Sequence, residues 1–136
     1  MRILHILTHA SHSRRFGGPN TVAMTQAQAL TAAGHHVVVA AGSNEYEPGR
    51  QRIEDVDAMI FPSQALAGHR WAGRRAIGMT RWVAAHQREF DICHVHLARD
   101  LTVLPAARAV RIPYVVQPHG MLTSSSGVAQ SLFDRL

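Results

Sequence analysis

Short apolar runs of strand length alternate along this chain with alanine-rich stretches of helical period. Met1 to Thr8 carries Ile3, Leu4, Ile6 and Leu7 and reads as a buried strand. His9 to Gly18 is a polar loop. Pro19 then suits a first helical turn, where its missing N–H costs nothing. From Asn20 to Ala33, the positions Val22, Ala23, Ala27, Leu30 and Ala33 form an apolar stripe, and Gly34 stands where a left-handed C-terminal cap belongs. Val37 to Ala41 is a second strand, ending at Gly42. Strand, glycine loop, helix and strand in this order make a βαβ unit, which requires parallel strands and a right-handed crossover.

The remaining segments extend the same alternation. Asn44 to Arg52 is polar and reads as a loop, and Asp57 to Phe61 reads as a third strand stopped by Pro62. Ala72 to Arg88 has helical period, with Ala72, Ala76, Met79 and Val83 on one face and Arg74, Arg81 and Arg88 on the other. Asp91 to Val95 is a fourth strand, and a short helix begins near Pro105 and runs to Val110. Tyr114 to Gln117 is a fifth strand, followed by the turn Pro118-His119-Gly120. Ser124 to Ser126 would cap a further helix. The predicted fold is α/β: a Rossmann-like, doubly wound parallel sheet of about five strands with helices on both faces. Binding loops belong at the carboxyl ends of its strands. His9 to Gly18, the segment after Gly42, His96 to Asp100, and Pro118 to Ser126 all fall on that edge.

Composition narrows the chemistry. All fourteen basic residues are arginine, so Schiff-base, P-loop and serine–lysine chemistries are excluded. Cys93 is the sole cysteine, which excludes a disulfide framework and a cysteine-rich zinc site and favours a cytoplasmic chain. A net charge of +5 suggests anionic partners, but the arginines are dispersed, so no nucleic acid is expected. The arginine face at 74, 81 and 88 reads first as a solvated helix face. Its second reading is peripheral contact with lipid headgroups.

Three features could carry chemistry. Gly17 and Gly18 before a helix let backbone N–H groups approach a phosphate, although a glycine pair also simply makes a tight turn. GxGxxG is absent, and the second strand ends in Ala40-Ala41-Gly42 where a dinucleotide-binding domain would place an acid. A flavodoxin-like or dinucleotide-binding reading therefore lacks its fingerprint. His94 and His96, two apart on a strand end, could face the same side. With no third ligand at a recognisable spacing, no metal is expected, and the pair reads better as lining a polar cleft. His119 follows a strand end and points toward the presumed cleft, where a neutral imidazole can donate or accept a proton. Of the others, His5 reads as a hydrogen-bonded histidine near the core and Cys93 as a small buried strand residue. Ser124 to Ser126 lack the elbow of a nucleophilic serine.

Taken in order, MRILHIL, the loop ending FGGPN, the helix ending LTAAGHHVVVAAG, FDICHVHLARD and RIPYVVQPHGML resemble the N-terminal domain of family 4 glycosyltransferases of the GT-B fold. The resemblance spans nearly the whole chain and is weakest between Ser43 and Gln87. It implies retaining transfer of a sugar from a nucleotide-sugar donor to a glycan, lipid or small-molecule acceptor, with no further cofactor. By resemblance, Gly17 and Gly18 match the loop lying against the donor phosphates, and Asn20 a position near the acceptor. His119 matches the cleft histidine that contacts the donor sugar, with His96 and Gly120 bordering the same cleft. It also implies a C-terminal donor-binding domain that this sequence does not contain. The chain is thus expected to be an incomplete acceptor-side domain, inactive alone, cytoplasmic or peripheral at the inner face of a membrane. The alternative is a non-catalytic remnant that binds an acceptor or a partner.

Overall fold

A computed structural model describes residues 1–12, 18–65, 73–98 and 100–119. In chain order the elements are β1 (Arg2–His9), α1 (Gly18–Ala32), β2 (His36–Ser43), β3 (Gly49–Ile53), β4 (Val56–Ala65), β5 (Arg74–Ala76) and α2 (Met79–His86). A 3-10 turn over Gln87–Glu89 leads to β6 (Ile92–His96), α3 (Val103–Ala109) and β7 (Tyr114–Gln117). The sheet runs β3-β4-β2-β1-β6-β7, with β5 paired to β4 off this path. Five strands, β4, β2, β1, β6 and β7, are mutually parallel, and they are the five that the apolar runs predict. The architecture is the expected Rossmann-like α/β one.

β1 is central because both its faces are apolar. Ile3 and Leu7 join α1 through Ala23 and Ala27, while Leu4 and Ile6 join Met79 and Val83 of α2 and Val103 and Ala106 of α3. Alanines at 23 and 27 are fully buried, which lets the α1 backbone lie close to the sheet. Burying each larger aliphatic side chain contributes about 2 kcal/mol. Gly34 ends α1 at φ 86°, the left-handed conformation anticipated for its cap.

Three stretches differ from the sequence reading. Residues 49–53, expected as loop, form β3, antiparallel to β4. Its sequence GRQRI is polar because β3 is an edge strand on which alternate side chains meet solvent. The hairpin turn is Glu54-Asp55, both at positive φ (46° and 67°), as a two-residue turn matched to strand twist requires. β4 does not stop at Pro62 but runs on to Ala65. Proline is tolerated there because only its carbonyl is called on, accepting the Ile77 N–H at 2.9 Å.

The helix expected from Ala72 starts only at Met79, after Gly78 at φ 89°. Arg74 lies on β5, where its carbonyl accepts from Thr102 Oγ1 at 3.0 Å. Arg74, Arg81 and Arg88 therefore do not share one helix face, and that basis for a headgroup-binding face is lost. The helical spacing of Ala76, Met79 and Val83 arises because a short strand and a helix pack on the same core. Finally, α3 begins at Val103 and not near Pro105, because Asp100 Oδ1 accepts the N–H groups of Thr102 (2.8 Å) and Val103 (2.6 Å).

Candidate functional site

The parallel strands end together on one edge of the sheet. There, Ala10 N–H donates to Gly42 O at 2.8 Å and Ser43 Oγ donates to Ala10 O at 2.9 Å. Ser43 Oγ in turn accepts the Glu45 and Tyr46 N–H groups, and the Glu45 carboxylate accepts from Ser11 Oγ (2.7 Å) and His12 N–H (2.8 Å). The loops after β1 and β2 are thereby tied together. On the other side, Thr8 Oγ1 donates to Asp100 Oδ2, linking the end of β1 to the cap of α3. Burial pushes the Asp100 carboxyl up, and its hydrogen bonds from Thr8, Val103 and Thr102 oppose that push.

Four histidines gather beside this edge. His5 and His94 are register partners on β1 and β6, and the two-residue period puts His96 on the same sheet face as His94. His5 Nδ1 lies 3.0 Å from His96 Nε2, and His96 Nδ1 lies 3.0 Å from His119 Nε2. His119 reaches back because its backbone sits at φ 46°, an uncommon region in which histidine is enriched. The rings of His94 and His96 stack at 4.2 Å, and those of His5 and His94 lie 4.7 Å apart. His94 also hydrogen-bonds the Gln117 side chain.

Burial keeps this group uncharged. His5 is pushed down to about 4 by desolvation and then by His94. His96 is pushed down to about 2, first by desolvation and then by His94, His5 and His119. His94 and His119 are lowered by the same cause. On the opposite sheet face, burial pushes the Cys93 thiol up to about 12, so it is no nucleophile at neutral pH.

His5, His94 and His96 offer nitrogens within 4.8 Å of one another, the right residue type for a zinc-like cation. As placed, the His94 and His96 rings lie nearly face to face, at 26°. Their in-plane lone pairs run alongside each other and do not converge on one point about 2 Å from both. Both nitrogens of His96 also face other histidines. The arrangement is a hydrogen-bonded imidazole stack.

Asn20 occupies a different place. With His9, Ser11, Met24, Gln28 and Tyr46 it lines a shallow, open groove between α1 and the sheet. His9 is pushed down to about 4 by burial, then by Arg74, with Glu45 acting in the opposite direction. Gly18 opens α1, and a Cβ built on it meets nothing within 4 Å among the described residues. The structure thus brings His96 and His119 together and sets Asn20 in the neighbouring groove. Gly17, Gly120 and the Ser124–Ser126 cap lie outside the described residues.

Sequence reasoning put His94 beside His96 but missed that His5 joins them and His119. The His94-x-His96 spacing was visible, but the third member comes from the other end of the chain. Only the pairing of β1 with β6 brings it there.

No helix among the described residues is long and apolar enough to cross a membrane. Residues 17–136 match the family model of the glycosyl transferase 4-like domain. A search of curated proteins gave no match.

Proposed function

The chain belongs to the glycosyl transferase 4-like domain family, and from that premise we propose that it is the acceptor-side part of a retaining glycosyltransferase. It would pass a sugar from a nucleotide-sugar donor to a glycan, lipid or small-molecule acceptor in the cytoplasm. The observation that carries this reading is the His96–His119 contact at the strand-end edge. It places a neutral imidazole where a sugar can lie against it. In the reaction, the bond from the anomeric carbon to the diphosphate oxygen breaks, the acceptor oxygen takes its place on the same face, and the acceptor's hydroxyl proton passes to the departing diphosphate. The sugar passes through an oxocarbenium-like state. A charged histidine beside that cation would oppose it, whereas a neutral one hydrogen-bonds the sugar without repulsion.

The other residues divide the remaining work. The start of α1 at Gly18 offers backbone N–H groups and a positive helix end to the departing diphosphate, and Gly17 keeps the phosphate-loop role that the family resemblance gives it. Asn20 and the groove it lines receive the acceptor, and Gly120 keeps the cleft role that the family resemblance gives it. The donor's nucleotide would be held by a second, donor-binding domain facing this edge.

The test is complementation. The chain is mixed with or fused to the donor-binding domain of a family member, and transfer of a radiolabelled sugar from nucleotide-sugar donors is measured. Transfer by the combination, with negligible transfer by the chain alone, is expected. His119→Ala should remove most of it, and full activity in that variant would overturn the role given to His119. Acceptor binding without any transfer in every combination would mark the chain as a non-catalytic binding module.

A further inference from the structure

We propose that His5 and His96 are positioning residues that hold His119 in its Nδ1–H tautomer, so that the strand-end edge presents a fixed, neutral N–H donor. The inference uses the glycosyltransferase reading only for what that N–H meets, an oxygen of the donor sugar.

The argument is a count of protons. Three imidazoles stand in line through two nitrogen–nitrogen contacts of 3.0 Å, His5 Nδ1 to His96 Nε2 and His96 Nδ1 to His119 Nε2. Each contact is a hydrogen bond only if one of its nitrogens carries hydrogen and the other does not. A neutral His96 has a single N–H for its two contacts, so it donates in one and accepts in the other. The line therefore has one sense at a time.

In the first sense His5 donates to His96, His96 donates to His119 Nε2, and the remaining proton of His119 sits on Nδ1. In the second sense every bond reverses, His119 offers a bare Nδ1, and His5 must carry its proton on Nε2. His5 decides between them. It has no solvent exposure, and its Nε2 has no hydrogen-bond partner among the described residues. The second sense would bury a polar N–H with nothing to receive it, and orphaned buried N–H groups are the rarer and costlier defect. The first leaves only an unpaired acceptor there. His94 stays out of line, because it meets the others through its ring face and hydrogen-bonds Gln117.

The consequence is directional control from the core. A free neutral imidazole exchanges its proton between nitrogens, and the bond made at one nitrogen decides which carries it. Here that choice is made at His5, two residues along the line, and His119 receives it. The donor at the edge is set before any ligand arrives, which is the property that preorganised hydrogen-bond donors need.

The test reads tautomers directly in the 136-residue chain. Long-range ¹H–¹⁵N correlation spectra of histidine-labelled protein at pH 7.5 separate protonated from bare ring nitrogens, and loss of signals in His119→Gln assigns that ring. The wild type should show His119 protonated at Nδ1. His96→Leu, which removes the donor to His119 Nε2, should move His119 to the Nε2–H form, and His5→Glu, whose carboxylate can only accept from His96 Nε2, should reverse the line and do the same. His5→Gln, whose amide can still donate to His96 Nε2, should keep Nδ1–H. A wild-type His119 protonated at Nε2 overturns the proposal outright, whether or not the variants fold. Folded His96→Leu and His5→Glu variants with His119 unchanged overturn it equally. None of these spectra depends on sugar transfer, so failure here leaves the transferase reading standing, and failure of complementation leaves the tautomer result standing.

Discussion

Acid should unfold this domain well before its carboxylates are protonated. His5 and His9 are pushed from 6.5 down to about 4 in the folded state, and His96 to about 2. The unfolded chain binds protons at these sites near the ordinary value, and the folded chain refuses them. Stability is therefore complete above pH 6.5 and is lost as pH falls toward the folded values. At pH 5, one histidine shifted from 6.5 to about 4 contributes a loss of about 2 kcal/mol. A further shift to about 2 adds almost nothing more at that pH. Domains of this kind hold only about 5–15 kcal/mol in total. Urea titrations followed by circular dichroism at pH 7.5, 6 and 5 would measure it. The unfolding free energy should fall steeply over this series, and His5→Gln should remove about 2 kcal/mol of the difference between its ends. A free energy that stays flat from pH 7.5 to 5 would refute the claim that these imidazoles are buried uncharged.

Other expectations test the fold around the site. Asp100→Ala removes the acceptor of three donors, from Thr8, Thr102 and Val103, and should cost about 2–3 kcal/mol in urea denaturation. Gly42→Ala places a Cβ 3.1 Å from Thr8 O and 3.1 Å from the Ala76 Cβ, so a loss of about 1–3 kcal/mol is expected and readable as a lower thermal midpoint. Cys93 is fully buried with a raised thiol, so alkylation at pH 8 should follow the rate of unfolding; labelling at the speed of a free thiol would contradict its placement. Ala27→Leu forces volume between α1 and the sheet and should destabilise by about 1–3 kcal/mol without shifting the His119 ring signals.

The middle of the parallel core was legible because β1, β2 and β6 are largely buried on both faces and so read as apolar runs. Ile3 to Leu7, Val37 to Ala41 and Cys93 to Val95 needed no partner to be recognised. β3 was not legible, since an edge strand written GRQRI carries the hydropathy of a loop and declares itself only by pairing with β4. α2 was half legible: the spacing of Ala76, Met79 and Val83 was real, but it continued across Gly78 into a strand. At the candidate site, His96 and His119 could be picked out because each stands at a strand end. His5 could not, because alternation on β1 shows that a polar residue faces inward without showing what it meets.

The central place of β1 also governs the order in which the chain can be assembled. Its first neighbour, β2, is made within the first 43 residues, but the other edge waits for β6, which begins at residue 92. Throughout that interval a strand with Ile3, Leu4, Ile6 and Leu7 presents unpaired N–H and C=O groups, the kind of edge that recruits strands from other chains. His5 sits in the middle of it. Before β6 docks, this imidazole is solvated and can take up a proton near its ordinary value, which puts a charge on the open edge in mildly acidic surroundings. Once β6 arrives, the same side chain loses that ability and becomes the head of a hydrogen-bonded line. One residue thus guards an unfinished sheet during synthesis and orders the finished one.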